Sequence, residues 1–170
     1  MIETSNKYIS NAFLRTLSPR FELFFAKELN IYNQAHLSQK QINSQSIDFR
    51  QQKGELAIAF NLEGDLEGFI LCSLKTENAQ DLRAIQSIFT ESMNILLGKF
   101  LTDLEDETNL MALITHPRLV TKQHLDEMAK MSLNKKHIQF EANYDLMTTM
   151  QELPCRILFC AHKRMDRREV

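Results

Sequence analysis

Apolar residues recur at helical spacing over residues 6 to 29 (Ile9, Phe13, Leu17, then Phe21, Phe24 and Phe25), which predicts a first helix that Pro19 kinks or splits. Residues 33 to 45, NQAHLSQKQINSQ, are polar and without period, and predict a loop or a ragged edge strand. Alternation then takes over. Leu56, Ile58, Phe60 and Leu62 share one face of a strand over residues 55 to 62, and Gly68, Ile70, Cys72 and Leu74 share one face of another over residues 66 to 74. The segment NLEGDLEG between and around them carries Gly64-Asp65, so the two strands are expected to form a tight antiparallel hairpin.

From residue 76 to residue 106 there is no Pro, and Gly98 is the only Gly. This predicts the longest helical stretch, as one helix or two, with Thr76, Glu77 and Asp81 as cap-like and acidic residues at its start. Residues 109 to 115 and 138 to 146 read as strands, 156 to 161 as a short buried last strand, and 122 to 131 as a short helix between the first two. Helices packed on one side of a largely antiparallel sheet make an α+β domain of mixed α/β layers. With no internal linker and no low-complexity segment, residues 1 to 170 are expected to form a single domain.

Composition narrows the class. At 170 residues, 44% hydrophobic and 25% charged, the chain can bury a core of its own and falls outside the disordered and membrane classes. A formal net charge of -2 argues against nucleic-acid binding, which rests on clusters of Lys and Arg. The one basic stretch, Lys163, Arg164, Arg167 and Arg168, is interrupted by Asp166 and Glu169 and reads as a solvated tail. Three cysteines without a CxxC spacing exclude a disulfide framework and fit a reducing cytoplasm. Cys72 and Cys160 sit in apolar runs as core residues, while Cys155 after Pro154 is left open. The start, MIETSNKYISNAF, has no basic and apolar leader, and no stretch reaches membrane-spanning length, so a cytoplasmic chain is expected. His36, His116, His124, His137 and His162 show no ligand spacing, and phosphate-loop, GxSxG and Cys–His patterns are missing. No metal and no cofactor bound by this chain is expected.

The informative segment is QSIFTESMNILLGKFLTDLED, residues 86 to 106. At about 100° per residue, Ile88, Phe89, Met93, Leu96, Leu97, Phe100, Leu101 and Leu104 fall on one broad apolar arc. Ser87, Glu91, Asn94 and Gly98 cluster nearly opposite it. A carboxylate, a carboxamide and a Gly thus share one stripe of a rigid element. Gly in an exposed helix costs about 1 kcal/mol relative to Ala, and close approach of another protein's backbone would offset that. Two readings follow from the residues: the wet face of an amphipathic helix, or a docking face.

The spacing Ser87, three residues, Glu91, two residues, Asn94, twenty-two residues, Pro117 resembles the signature of the CheC/CheX/FliY chemotaxis phosphatases. The flanks are similar too: LEGFILCSL at residues 66 to 74 looks like that family's strand ahead of its second helix, and Gly98-Lys99 follows the Asn as in CheX-like members. The resemblance covers roughly residues 55 to 161. The chain departs from it in a shorter connection between Thr76 and Ser87. Where CheC-type members repeat the motif on the first helix, this chain has Ser18, Glu22 and then Phe25 in place of Asn, so one site per chain is expected.

The resemblance implies a phosphatase acting on the aspartyl phosphate of a CheY-like response regulator. Asn94 would position the attacking water and Glu91 would pair with the receiver's active-site Lys, while Ser87 and Gly98 would shape the contact. The Mg²⁺ needed for charge stabilisation is expected on the partner, and a homodimer is implied by analogy. The alternative is a catalytically silent interaction or structural module on the same fold.

Overall fold

The computed structural model describes residue 15 and residues 36 to 40, 55 to 75, 79 to 132, 138 to 147 and 152 to 164. In chain order the elements are β1 (His36–Lys40), β2 (Glu55–Gly64), β3 (Leu66–Lys75), α1 (Ala79–Thr108), β4 (Ala112–Ile114), β5 (Arg118–Leu119), α2 (Lys122–Ser132), β6 (Ile138–Met147) and β7 (Glu152–Lys163). The helix expected over residues 6 to 29, with Ser18, Glu22 and Phe25, lies outside the described residues apart from the helical Arg15. Thr76 and Glu77 also lie outside them, as does the tail beyond Arg164.

The strands form one sheet in the order β1-β6-β7-β3-β2-β4, with β5 pairing further along β2. Every pairing is antiparallel. The fold is therefore α+β, with helices on an antiparallel sheet. The polar stretch around residue 36 supplies the edge strand β1. The strand expected over residues 109 to 115 shortens to Ala112–Ile114, because α1 runs on to Thr108.

At that helix end Asn109 takes a left-handed conformation (φ 57°), one that Asn tolerates better than most residues. Its N–H donates to the Glu105 carbonyl at 2.8 Å, and the Thr108 hydroxyl donates to the Leu104 carbonyl at 2.6 Å. The Glu105 carbonyl, one of the four in the last turn, is thereby satisfied, and the Leu104 carbonyl gains a second donor.

β7 lies between β6 and β3. Covered on both faces, it reads as a continuous apolar run rather than an alternation: Ile157, Leu158, Phe159, Cys160 and Ala161 are all buried. Alternation in β2 and β3 divides the core into two clusters. One contains Ile58, Phe60, Leu62, Ile70, Cys72 and Leu74 together with α1. The other contains Ala57, Ala59, Phe69 and Leu71 together with Leu125 and Met128 of α2. The two helices therefore pack on opposite faces, where the sequence pattern had suggested a single side.

The antiparallel hairpin expected at Gly64-Asp65 forms, with Leu62 opposite Gly68 as its innermost pair and so a longer connection than a tight turn. Gly64 has φ +124°, and a Cβ there would stand 2.6 Å from the Met111 carbonyl oxygen. Asp65 fastens the hairpin tip to its neighbours: its N–H donates to Met111 O at 2.7 Å, and its carboxylate accepts from the Met111 N–H at 2.9 Å.

Candidate functional site

α1 holds the candidate residues by burying its opposite side. Phe89, Met93, Leu96, Leu97, Phe100, Leu101 and Leu104 are buried, and the rings of Phe100 and Phe159 meet edge to face at 6.2 Å. Each such side chain contributes about 1.5–3 kcal/mol on burial, so the helix cannot rotate its outer face inward without losing that contact. Ile88 was expected on the same arc, but its side chain lies outside the description. The helix is continuous from residue 79 to 108, so the residues between Thr76 and Ser87 mostly extend α1 backwards rather than forming a separate element.

On the outward side, Ser87, Glu91 and Asn94 are exposed and Gly98 is half-buried. Glu91 and Asn94 stand three residues apart, about 4.5 Å along the axis. Neither is bonded to another described residue, so a carboxylate and a carboxamide face outward uncommitted. A Cβ at Gly98 would meet nothing within 4 Å. At Gly68, by contrast, it would fall 2.0 Å from the Cys160 carbonyl oxygen. The fold itself requires glycine at 68 and not at 98.

Pro117 stands on a different element, half-buried between β4 and β5. Its neighbours are pinned to β2 through Asn61. The Asn61 N–H donates to Thr115 Oγ1 at 3.1 Å, the Thr115 N–H donates to the Asn61 carbonyl at 3.0 Å, and Arg118 Nη2 donates to Asn61 Oδ1 at 2.9 Å. The sequence spacing thus joins a helix face to a rigid loop on the outer side of β2.

Other candidate groups have structural roles. Cys72, Cys155 and Cys160 are free and buried, which places Cys155 in the core as well. Burial raises the Cys72 thiol far above its usual range and pushes Cys160 up to about 12. Both therefore stay protonated and unreactive as nucleophiles. Among the described residues no group of three or more His, Cys, Asp or Glu is arranged to hold a metal. His124 caps α2 reciprocally with Thr121: its N–H donates to Thr121 Oγ1 and its Nδ1 accepts from the Thr121 N–H, both at 3.3 Å. The usual partner in such a box is Glu or Gln, so nothing in the sequence marked this His as a cap.

The sequence also gave no sign of a groove of about 590 Å³ on the α2 face, whose lining includes Asn61, Glu67, Phe69, Arg118, Met128 and Arg164. Several of its polar groups are bonded to one another. Glu67 pairs with His162 and Arg164, each at 3.4 Å, and Arg118 is committed to Asn61. Glu91 and Asn94 take no part in it. They occupy the outer surface of a helix, which suits a protein partner better than the concave site a small molecule needs.

No helix of the described residues is long and apolar enough to cross a membrane. No family model matches the chain, and no curated protein matches it in sequence. Solved structures do match. The crystal structure of the CheX-CheY-BeF3-Mg²⁺ complex from Borrelia burgdorferi aligns with TM-score 0.54 and 18% identity over 88% of this chain and 96% of that one. FliY from Thermotoga maritima aligns with TM-score 0.55 and 11% identity over 92% and 89%. A CheC-like superfamily protein from Shewanella sp. PV-4 aligns with TM-score 0.52 and 11% identity over 89% and 97%. Extensive coverage at such low identity identifies an architecture: this chain has the fold of the CheX, CheC-like and FliY structures.

Proposed function

We propose that this protein hydrolyses the aspartyl phosphate of a CheY-type response regulator by docking the outer face of α1 onto the receiver domain. The observation that carries the reading is the pair Glu91 and Asn94, exposed and uncommitted on a helix anchored by its opposite side, beside a glycine the fold does not need. Support also comes from the structural likeness to a CheX-CheY-BeF3-Mg²⁺ complex.

A receiver's acyl phosphate already sits beside its own Mg²⁺ and Lys, which stabilise the charge of the transferring phosphoryl group. What remains is to place a water in line with the scissile P–O bond. Asn94 suits this task, because its amide both donates and accepts hydrogen bonds and carries no charge to repel the phosphoryl oxygens. The water oxygen bonds to phosphorus, the bond to the Asp carboxylate breaks, and inorganic phosphate leaves. Glu91, one turn earlier, pairs with the receiver's Lys and sets the register of the helix. Ser87 borders the contact, and Gly98 lets the partner's backbone approach. The chain needs no cofactor of its own in this scheme. It acts in the cytoplasm on chemotaxis-type signalling, as one domain with one site, and assembles as a homodimer.

Single-turnover dephosphorylation of a CheY-type receiver at saturating protein tests the assignment. Asn94→Ala should lose on the order of 100-fold in rate while keeping much of its affinity, with a melting curve close to that of wild type because Asn94 is exposed. Glu91→Ala should instead weaken binding to the receiver. A wild-type protein that binds the receiver without speeding phosphate loss would be a catalytically silent interaction module.

A further inference from the structure

We propose that Ile95 is the apolar anchor of the receiver contact, an inference that rests on the docking reading above and assigns a residue outside the motif. The buried apolar residues of α1 are no more than 3% exposed, whereas Ile95 is 38% exposed. A lone exposed apolar side chain is ordinary; its position here is what matters. Ile95 follows Asn94 directly, lies one turn after Glu91 and one turn before Lys99, and so borders the stripe on the Glu91 side.

Next to it the helix is bare. No Cβ stands at Gly98, and one placed there would meet nothing within 4 Å. The far end of this gap is closed by Thr102, whose hydroxyl is turned back onto the Gly98 carbonyl at 3.1 Å. The same carbonyl lies within the continuous helix, so the hydroxyl adds a second donor to it and spends its own hydrogen on the helix backbone. Beside Ile95 the helix surface is thus low at Gly98, with the exposed Glu91 and Lys99 one turn to either side of the isoleucine.

A receiver placed to bring its Lys to Glu91 and its phosphoryl group to Asn94 covers Ile95 and the bare surface at Gly98. Ile95 then loses its remaining water, and it excludes water from around the Glu91 ion pair, which strengthens that pair. Because Ile95 presents no polar atom to the phosphoryl group, it contributes to affinity and not to the chemical step.

The measurement is a binding titration of the full chain with a CheY-type receiver carrying beryllofluoride and Mg²⁺, beside turnover of the phosphorylated receiver. Ile95→Ser should weaken binding about tenfold and raise KM in step, with kcat within about twofold, while Ile95→Leu should restore both. Asn94→Ala should show the opposite split, losing kcat and retaining affinity. Equal affinity for Ile95→Ser and wild type would overturn the anchor even if the Asn94 result held. A loss of kcat with unchanged affinity would overturn it equally. If the wild type neither bound nor turned over the receiver, the functional reading would fail and the anchor with it.

Discussion

On one face of the sheet α1 presses Phe89, Met93, Leu96, Leu97, Phe100, Leu101 and Leu104 against strand residues such as Phe60, Ile70 and Phe159. On the other, α2 brings Leu125 and Met128 down onto Ala57, Ala59, Phe69 and Leu71. Among the described residues, a thirty-residue helix thus covers one face and an eleven-residue helix the other. The side of the longer helix carries the candidate docking stripe. An outer face meant to stay still while a partner bears on it needs a large inner face, and the shorter helix leaves room for a groove instead.

Like-for-like truncation provides the largest expected effect. Leu97→Ala on the α1 side should cost about 4 kcal/mol, and Leu125→Ala on the α2 side about 2 kcal/mol, within the span known for buried leucines. Denaturant unfolding of the two variants checks this, and equal losses would break the contrast between the faces.

The thiols sharpen it further. Cys72 belongs to the α1 cluster and Cys160 to the α2 cluster. In single-cysteine variants, Cys160 should be alkylated before Cys72 under native conditions, because burial raises the Cys72 thiol further and leaves it less thiolate to react. Both thiols hold their protons more tightly when folded. Each therefore adds stability that is fully present below about pH 9 and is lost as pH rises beyond it, by up to about 1.4 kcal/mol per thiol and pH unit. Mutants lacking either cysteine should show a shallower alkaline decline.

The smallest effect concerns the outer face alone. Gly98→Ala should stabilise the chain by up to about 1 kcal/mol, since its Cβ meets nothing, while weakening receiver binding. Calorimetry and titration on the same variant would separate the two, and a destabilised Gly98→Ala would mean that the glycine serves the fold.

Much of this was legible in the chain because period reports burial directly. The two faces of α1 follow from its spacing, and the β2–β3 hairpin follows from alternation around Gly64-Asp65. What periodicity does not carry is which partner an element meets. The apolar run of residues 156 to 161 signalled burial without saying that β7 lies at the centre of the sheet. The stretch over residues 122 to 131 read as a short helix, but not as one on the opposite side of the sheet from α1. β5, at two residues, is too short to show any period. Of the candidate site, Ser87, Glu91, Asn94 and Gly98 could be placed together from the helical repeat. Pro117 could not, because its position depends on the long-range bonds of Asn61 to Thr115 and Arg118.

The central place of β7 also bears on how the molecule is assembled. Leu66 pairs with Lys163 and Leu74 with Cys155, so the free edge of β3 waits for a segment synthesised long after the hairpin and α1. Until that segment arrives, the early half of the chain exposes an unpaired strand edge and an apolar surface without its full partner, a state open to intermolecular strand pairing. Pairings so distant along the chain also slow the search for the native arrangement. The protein that emerges from the ribosome therefore closes its sheet through the middle rather than growing it from one side.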